Sequence, residues 1–180
     1  MLKKISLLLI LISIFSLTAC NKKTEKAEVM NKDVVAQKET GSVKVNLQTS
    51  ADKYYVNDYV KVGVNINTGE SSVNTAQLLL NYDKEMLEYD SVTTAGSQFT
   101  VWTKKGGGNG EINLLTAQPN PGIKGDKQHV AVVIFKAIKS GDVKVTVDKM
   151  VSKMFTTEGQ NMLKSAGHQD AQITILPLEQ

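Results

Sequence analysis

From Ser42 to Leu176 the chain repeats one texture: short runs in which every second residue is apolar, many of them β-branched. Successive side chains of a strand point to opposite faces, so each run makes a strip with one greasy side. Val43, Val45 and Leu47 alternate in SVKVNLQT, and Val60, Val62, Val64 and Ile66 in YVKVGVNINT. In TAQLLLNYD, Ala76, Leu78, Leu80 and Tyr82 share one face, while Gln77, Leu79 and Asn81 share the other. The series continues with MLEYDSVT, QFTVWT, EINLLTAQ, HVAVVIFKAI, DVKVTVDKMV and AQITIL. HVAVVIFKAI is the most apolar run and is expected at the centre of a sheet. Gly, Asn or Asp stands at most reversals. KKGGGNG reads as a glycine-rich reversal, and Ser152–Asp170 as either a decorated loop or a helix. No heptad, repeat unit or βαβ alternation is visible. One-sided strips must cover one another, so the pattern predicts an all-β fold, a nine-stranded antiparallel β-sandwich with jelly-roll topology.

The first 41 residues have a different character. Lys3 and Lys4 precede an apolar run from Ile5 to Ala19 that Ser13, Ser16 and Thr18 interrupt. A membrane-spanning helix needs about 20 apolar residues. A basic start, a short apolar stretch and small residues at its end instead describe a secretory signal peptide, here residues 1–19. Leu17-Thr18-Ala19-Cys20 resembles the bacterial lipobox, which implies cleavage before Cys20 and a lipid on its sulfur. Two or more acyl chains hold a protein stably on a membrane where one is marginal. A free thiol or an intermolecular disulfide is the other reading of a lone cysteine. Residues 20–41 are charged, mixed in sign and free of aromatics, and read as a lipid anchor followed by a flexible tether. Its random-coil reach is about 25 Å. Residues 42–180 form the folded domain.

Charge excludes some partners. The chain has 21 lysines and no arginine; without Lys3 and Lys4, nineteen lysines face eighteen acids. Such a balance supports neither nucleic-acid binding nor a polybasic membrane patch. With no cysteine beyond Cys20, stability must come from a packed core.

Catalytic and metal chemistry find little support. His129 and His168 are the two histidines, and no Gly-x-Ser-x-Gly accompanies them. Asp83, Glu85, Glu88 and Asp90 lack the spacing and central glycine of a calcium loop, and read as a solvated turn. KKGGGNG puts its lysines before the glycines, which is the wrong order for a phosphate loop. Trp102, with Tyr54, Tyr55 and Tyr59, gives few rings for a sugar-binding platform.

The order of the pieces resembles a cohesin domain over about Val43–Leu176. The most specific element is NYDKEMLEYDSV, where Leu80, Tyr82, Asp83, Leu87 and Val92 match the cohesin pattern and Lys84 replaces its proline. VAVVIFKAIKSG is similar to a second cohesin stretch. The resemblance implies a non-catalytic module that binds dockerins, small domains with two calcium loops. This chain itself then needs no cofactor, and any calcium requirement belongs to the partner. The family docks through one sheet face built by its strands 8, 3, 6 and 5. Carried onto this sequence, that face presents Gln77, Leu79 and Asn81; Asn113, Leu115 and Ala117; Lys144, Thr146 and Asp148; and Thr100 and Trp102. Where well-studied cohesins often carry Asn and Asp early on strand 3, this chain has Thr75 and Gln77. Alternation gives its own reason to look here. Leu79 and Leu115 lie opposite the core-facing residues of their strands, and with Trp102 at the edge they predict an exposed apolar cluster.

The expected function is therefore a lipid-anchored binding module at a bacterial cell envelope, holding a dockerin-bearing protein such as a polysaccharide-degrading enzyme. The membrane side is open. A carbohydrate-binding module with a polysaccharide partner, and a structural envelope lipoprotein, are the alternatives.

Overall fold

The computed structural model describes residues 42–164 and 166–178. The expected signal peptide, Cys20 and the tether lie outside the described residues. Eleven strands follow one another: β1 (Lys44–Thr49), β2 (Lys53–Tyr55), β3 (Tyr59–Asn67), β4 (Thr75–Tyr82), β5 (Leu87–Thr93), β6 (Val101–Gly108), β7 (Glu111–Ala117), β8 (Gln128–Ala137), β9 (Gly141–Val147), β10 (Lys153–Phe155) and β11 (Ala171–Leu176). No helix occurs among the described residues. The nine expected runs are all strands. The two additions, β2 and β10, are three residues each, too short for alternation to register.

The strands form two sheets. One has the order β1-β3-β8-β5; the other runs β2-β11-β9-β4-β7-β6, with β10 beside β4. Neighbours are antiparallel except β11 and β2. The greasy sides meet between the sheets. Val60, Val62, Val64 and Ile66 of β3 and Val133 and Phe135 of β8 face Leu78 and Leu80 of β4, Ile112 and Leu114 of β7, and Ile173 and Ile175 of β11 in one core. The Tyr82 and Phe135 rings touch across the layers, 4.9 Å apart and tilted 56°. HVAVVIFKAI, as β8, is an inner strand with an extra buried residue: Val64 pairs with Ala131 but Asn65 with His129, leaving Val130 as a bulge.

KKGGGNG differs from its reading as a reversal. Lys104–Gly108 belongs to β6, and only Asn109 and Gly110 turn the chain. Both have positive φ, 54° and 92°, the geometry that a two-residue hairpin needs. Of the glycines before them, Gly107 is needed for room. A Cβ on Gly107 would overlap the Glu111 carbonyl oxygen and lie 2.7 Å from the Ile112 Cα.

Strand β1 is bonded on both edges. β3 takes one, with Val45 opposite Ile66 and Leu47 opposite Val64. Residues 162–164 and 168–169 take the other: the Val43 and Leu47 amides donate to Met162 and Gln169 carbonyls at 2.9 and 2.8 Å. Val45 donates to His168 Nδ1 at 2.9 Å. His168 Nε2 in turn donates to the Lys164 carbonyl at 2.6 Å. Both nitrogens of this histidine are therefore occupied in holding backbone.

Candidate docking face

The outer side of the larger sheet is ordered by register. Pairing carries each outward residue straight across neighbouring strands, so the face can be written as rows. The first row is Thr146–Asn81–Glu111, from β9 to β7. The second pairs Leu79 with Asn113. The third runs Lys153–Gln77–Leu115–Lys104, from β10 to β6. The fourth runs Phe155–Thr75–Ala117–Val101. Rows are spaced by two residues, about 7 Å, and strands by about 4.8 Å.

Gln77, Leu79, Asn81, Asn113, Leu115 and Thr146 thus stand together on one surface, all half-buried. Lys144 lies one step further out, opposite Gln172 of β11 and exposed. Leu79 and Leu115 are diagonal neighbours, at a spacing of about 7 Å. The face is graded from end to end. Asn81, Glu111 and Thr146 make one end polar, while Phe155, Ala117 and Val101 make the other apolar.

Three expected positions are corrected. Trp102 pairs with buried Thr116, so its ring turns inward and packs against the core. Its Nε1 donates to the Phe99 carbonyl at 3.2 Å. The cause is a bulge: Trp102 pairs with Thr116 but Lys104 with Leu115, leaving Thr103 as the extra residue. Val101 takes the outward place expected for Trp102 and is 49% exposed. Asp148 lies beyond β9, and its carboxylate accepts the Met150 and Val151 amides at 2.9 and 3.2 Å, capping a turn. Thr100 precedes β6, and its amide and hydroxyl both donate to Gln118 Oε1.

Sequence alone missed Val101, Lys104, Lys153, Phe155 and the tip residue Met150. Lys153 and Phe155 sit in the segment read as loop or helix. Met150, 90% exposed, is at the tip of the turn joining β9 to β10. That turn lies alongside Leu79, because β9 leaves β4 opposite Leu80 and β10 rejoins it opposite Gln77.

The residues suited to other chemistry make local contacts. Asp83, in the turn between β4 and β5, accepts the Glu85 amide at 2.8 Å, and Asp90, at the register shift in the middle of β5, accepts the Ser91 hydroxyl at 2.7 Å; both are exposed. Among the described residues no group of His, Cys, Asp or Glu has the spacing to hold a metal ion. His129 Nδ1 lies 3.3 Å from Asn65 Oδ1. The three early tyrosines are split: Tyr54 is buried, Tyr55 is on β2 and Tyr59 on β3 of the other sheet. An open concavity of about 620 Å³ lies between the β4–β5 turn and the β6–β7 hairpin, beside Tyr82, Glu88, Tyr89 and Gly107. Burial, followed by the nearby Asp90 charge and Tyr82, raises the Tyr89 hydroxyl above its ordinary value.

The cohesin-domain family model matches residues 43–175. The chain belongs to the cohesin family. No curated protein matches it. Among solved structures it is similar to the cohesin CaCohA2 of Clostridium acetobutylicum, at 19% identity and TM-score 0.61, covering 75% of this chain and 91% of that one. It is also similar to the third ScaC cohesin of Acetivibrio cellulolyticus, solved with the ScaB dockerin, at 12% identity and TM-score 0.60, covering 74% and 99%. A non-cellulosomal cohesin of the archaeon Archaeoglobus fulgidus matches at 20% identity and TM-score 0.55, covering 74% and 91%. This cohesin is a non-catalytic protein-binding module. In its larger sheet the strands expected to form the docking face, β9, β4, β7 and β6, are consecutive neighbours.

Proposed function

We propose that this cohesin is a surface-displayed docking module that binds a dockerin-bearing protein through the outer face of β9-β4-β7-β6. The reading rests chiefly on the rows just described: half-buried Leu79, Leu115 and Ala117 lie on one continuous sheet, with polar residues at one end of the face and Phe155 and Val101 at the other. Such a patch suits a partner that covers it. The Acetivibrio cellulolyticus neighbour, solved with a dockerin, supports that partner class. Gln77, Asn81, Asn113, Lys144 and Thr146 form the polar surround, and Trp102 acts from beneath by holding β6 on the core. A lipid on Cys20 holds the module at the bacterial envelope, and residues 20–41 give it reach. The partner carries the chemistry, for instance an enzyme of polysaccharide breakdown.

Two measurements test this. The chain is immobilised with calcium, exposed to extract and culture fluid of its own source, and eluted with EDTA. Release of a protein with paired calcium loops is expected; a bound polysaccharide with no such protein overturns the dockerin reading. Separately, labelled palmitate should enter the expressed wild-type chain and not Cys20→Ser; equal labelling, or none, overturns the anchor.

A further inference from the structure

The third row of the face has a lysine at each end. Lys153 on β10 stands opposite Gln77, Gln77 opposite Leu115, and Leu115 opposite Lys104 on β6. Three interstrand spacings separate the two lysines, about 14 Å. Between them lie half-buried Gln77 and Leu115, and the next row adds Phe155, Ala117 and Val101. Both lysines are exposed, and neither ammonium meets a carboxylate among the described residues, where Lys124 and Glu70 make an ion pair elsewhere. The carboxylates of the same face are distant or occupied. Glu111 is four residues along β7 from Leu115, about 13 Å. Asp148 caps its own turn, and Asp142 accepts the Thr174 hydroxyl at 2.7 Å. The apolar end of the face is thus edged by positive charge on both sides.

We propose that Lys104 and Lys153 are specificity-determining residues that select a partner surface with an apolar middle and carboxylates on both flanks. This rests on the docking reading and deepens it by fixing the charge of the partner. The geometry sets the width. An α-helix with its side chains is about 10–12 Å across, so one helix lies between the lysines and places acidic side chains within reach of each. Charged rims of this kind act on association rate and on rejection of wrong partners. A partner with basic flanks leaves four like charges facing one another. Edge-strand lysines also discourage strand addition, a role that requires no acidic partner, and the test separates the two.

The probe is a displayed library of dockerin modules whose exposed helix positions are drawn from Glu, Gln and Lys. It is sorted with calcium on the full wild-type chain and on K104E/K153E, with K104Q/K153Q as the neutral control. Wild type should enrich Glu at the helix flanks and the reversed variant Lys. The best acidic binder should lose about tenfold or more in affinity on K104E/K153E, less on K104Q/K153Q, and its affinity should fall with added salt. Binders that come through with no charge preference overturn the selection by Lys104 and Lys153 and leave docking standing. No binder on any chain, with unchanged thermal melts, overturns the docking reading itself.

Discussion

The Leu79 amide donates to the Ser152 hydroxyl at 3.0 Å, and Leu79's carbonyl accepts the Asp148 amide at 2.8 Å. Leu79 therefore has no strand partner on this side of β4. The edge of β4 is divided, with β9 pairing Leu80–Tyr82 and β10 pairing Thr75–Gln77. Ser152, buried in the gap, replaces the missing ladder bond with its side chain. Ser152→Ala leaves the Leu79 amide unsatisfied and should cost about 1–3 kcal/mol of stability, read by denaturant unfolding. It should also weaken partner binding more than its stability loss explains, because it loosens Lys153 and Phe155.

Leu79→Lys and Leu115→Lys together should abolish partner capture while changing unfolding free energy by about 1 kcal/mol or less per site. Leu78→Ala and Leu114→Ala, one residue away on the core side, should each cost about 2–5 kcal/mol. Thermal melts beside a binding assay separate the two faces of the same strands.

Trp102 is the one tryptophan, so its fluorescence reports the interior. Emission should shift to longer wavelength on unfolding and stay nearly constant when a partner docks. Trp102→Ala should cost about 2–4 kcal/mol.

Gly107 of β6 is not interchangeable with a loop glycine. Gly107→Ala drives a methyl group into the backbone of the adjoining strand and should cost about 1–3 kcal/mol. Gly159→Ala meets nothing within 4 Å, and its φ of +76° should cost about 1 kcal/mol. Paired urea titrations decide the order.

Tyr89 gives a pH dependence at the alkaline end. Its hydroxyl is raised in the folded protein, first by burial and then by Asp90 and Tyr82. The folded state therefore holds that proton more tightly than the unfolded chain does. The resulting stability is complete below the ordinary tyrosine value near 10 and is lost as pH climbs through the raised one. Tyr89→Phe should flatten the decline of stability between neutral and strongly alkaline pH, followed by circular dichroism.

The fold was legible where period-two runs were long. Val60 to Ile66 and Ala76 to Tyr82 state their faces without ambiguity, and so Gln77, Leu79 and Asn81 emerge together. Trp102 misleads because a bulge leaves no mark in the sequence. Val101 and Trp102 are both apolar, and the extra residue Thr103 decides which turns inward. Lys153 and Phe155 stayed hidden for a different reason. A three-residue strand is defined by what pairs with it, and β10 exists only because β4 has an unfilled edge at Thr75–Gln77. Asp148 reads as strand because DKMV follows VKVTV in phase, yet its carboxylate accepts the amides of Met150 and Val151 and ends the run.

Strand β1 has a mechanical consequence. It enters the domain at Ser42 with β3 bonded along one side and residues 162–164 and 168–169 along the other. A pull along β1 cannot peel one hydrogen bond at a time; it must shear two rows at once. For a module tethered at this end and gripped on the opposite sheet, the attachment point resists force better than a strand bonded on one side would.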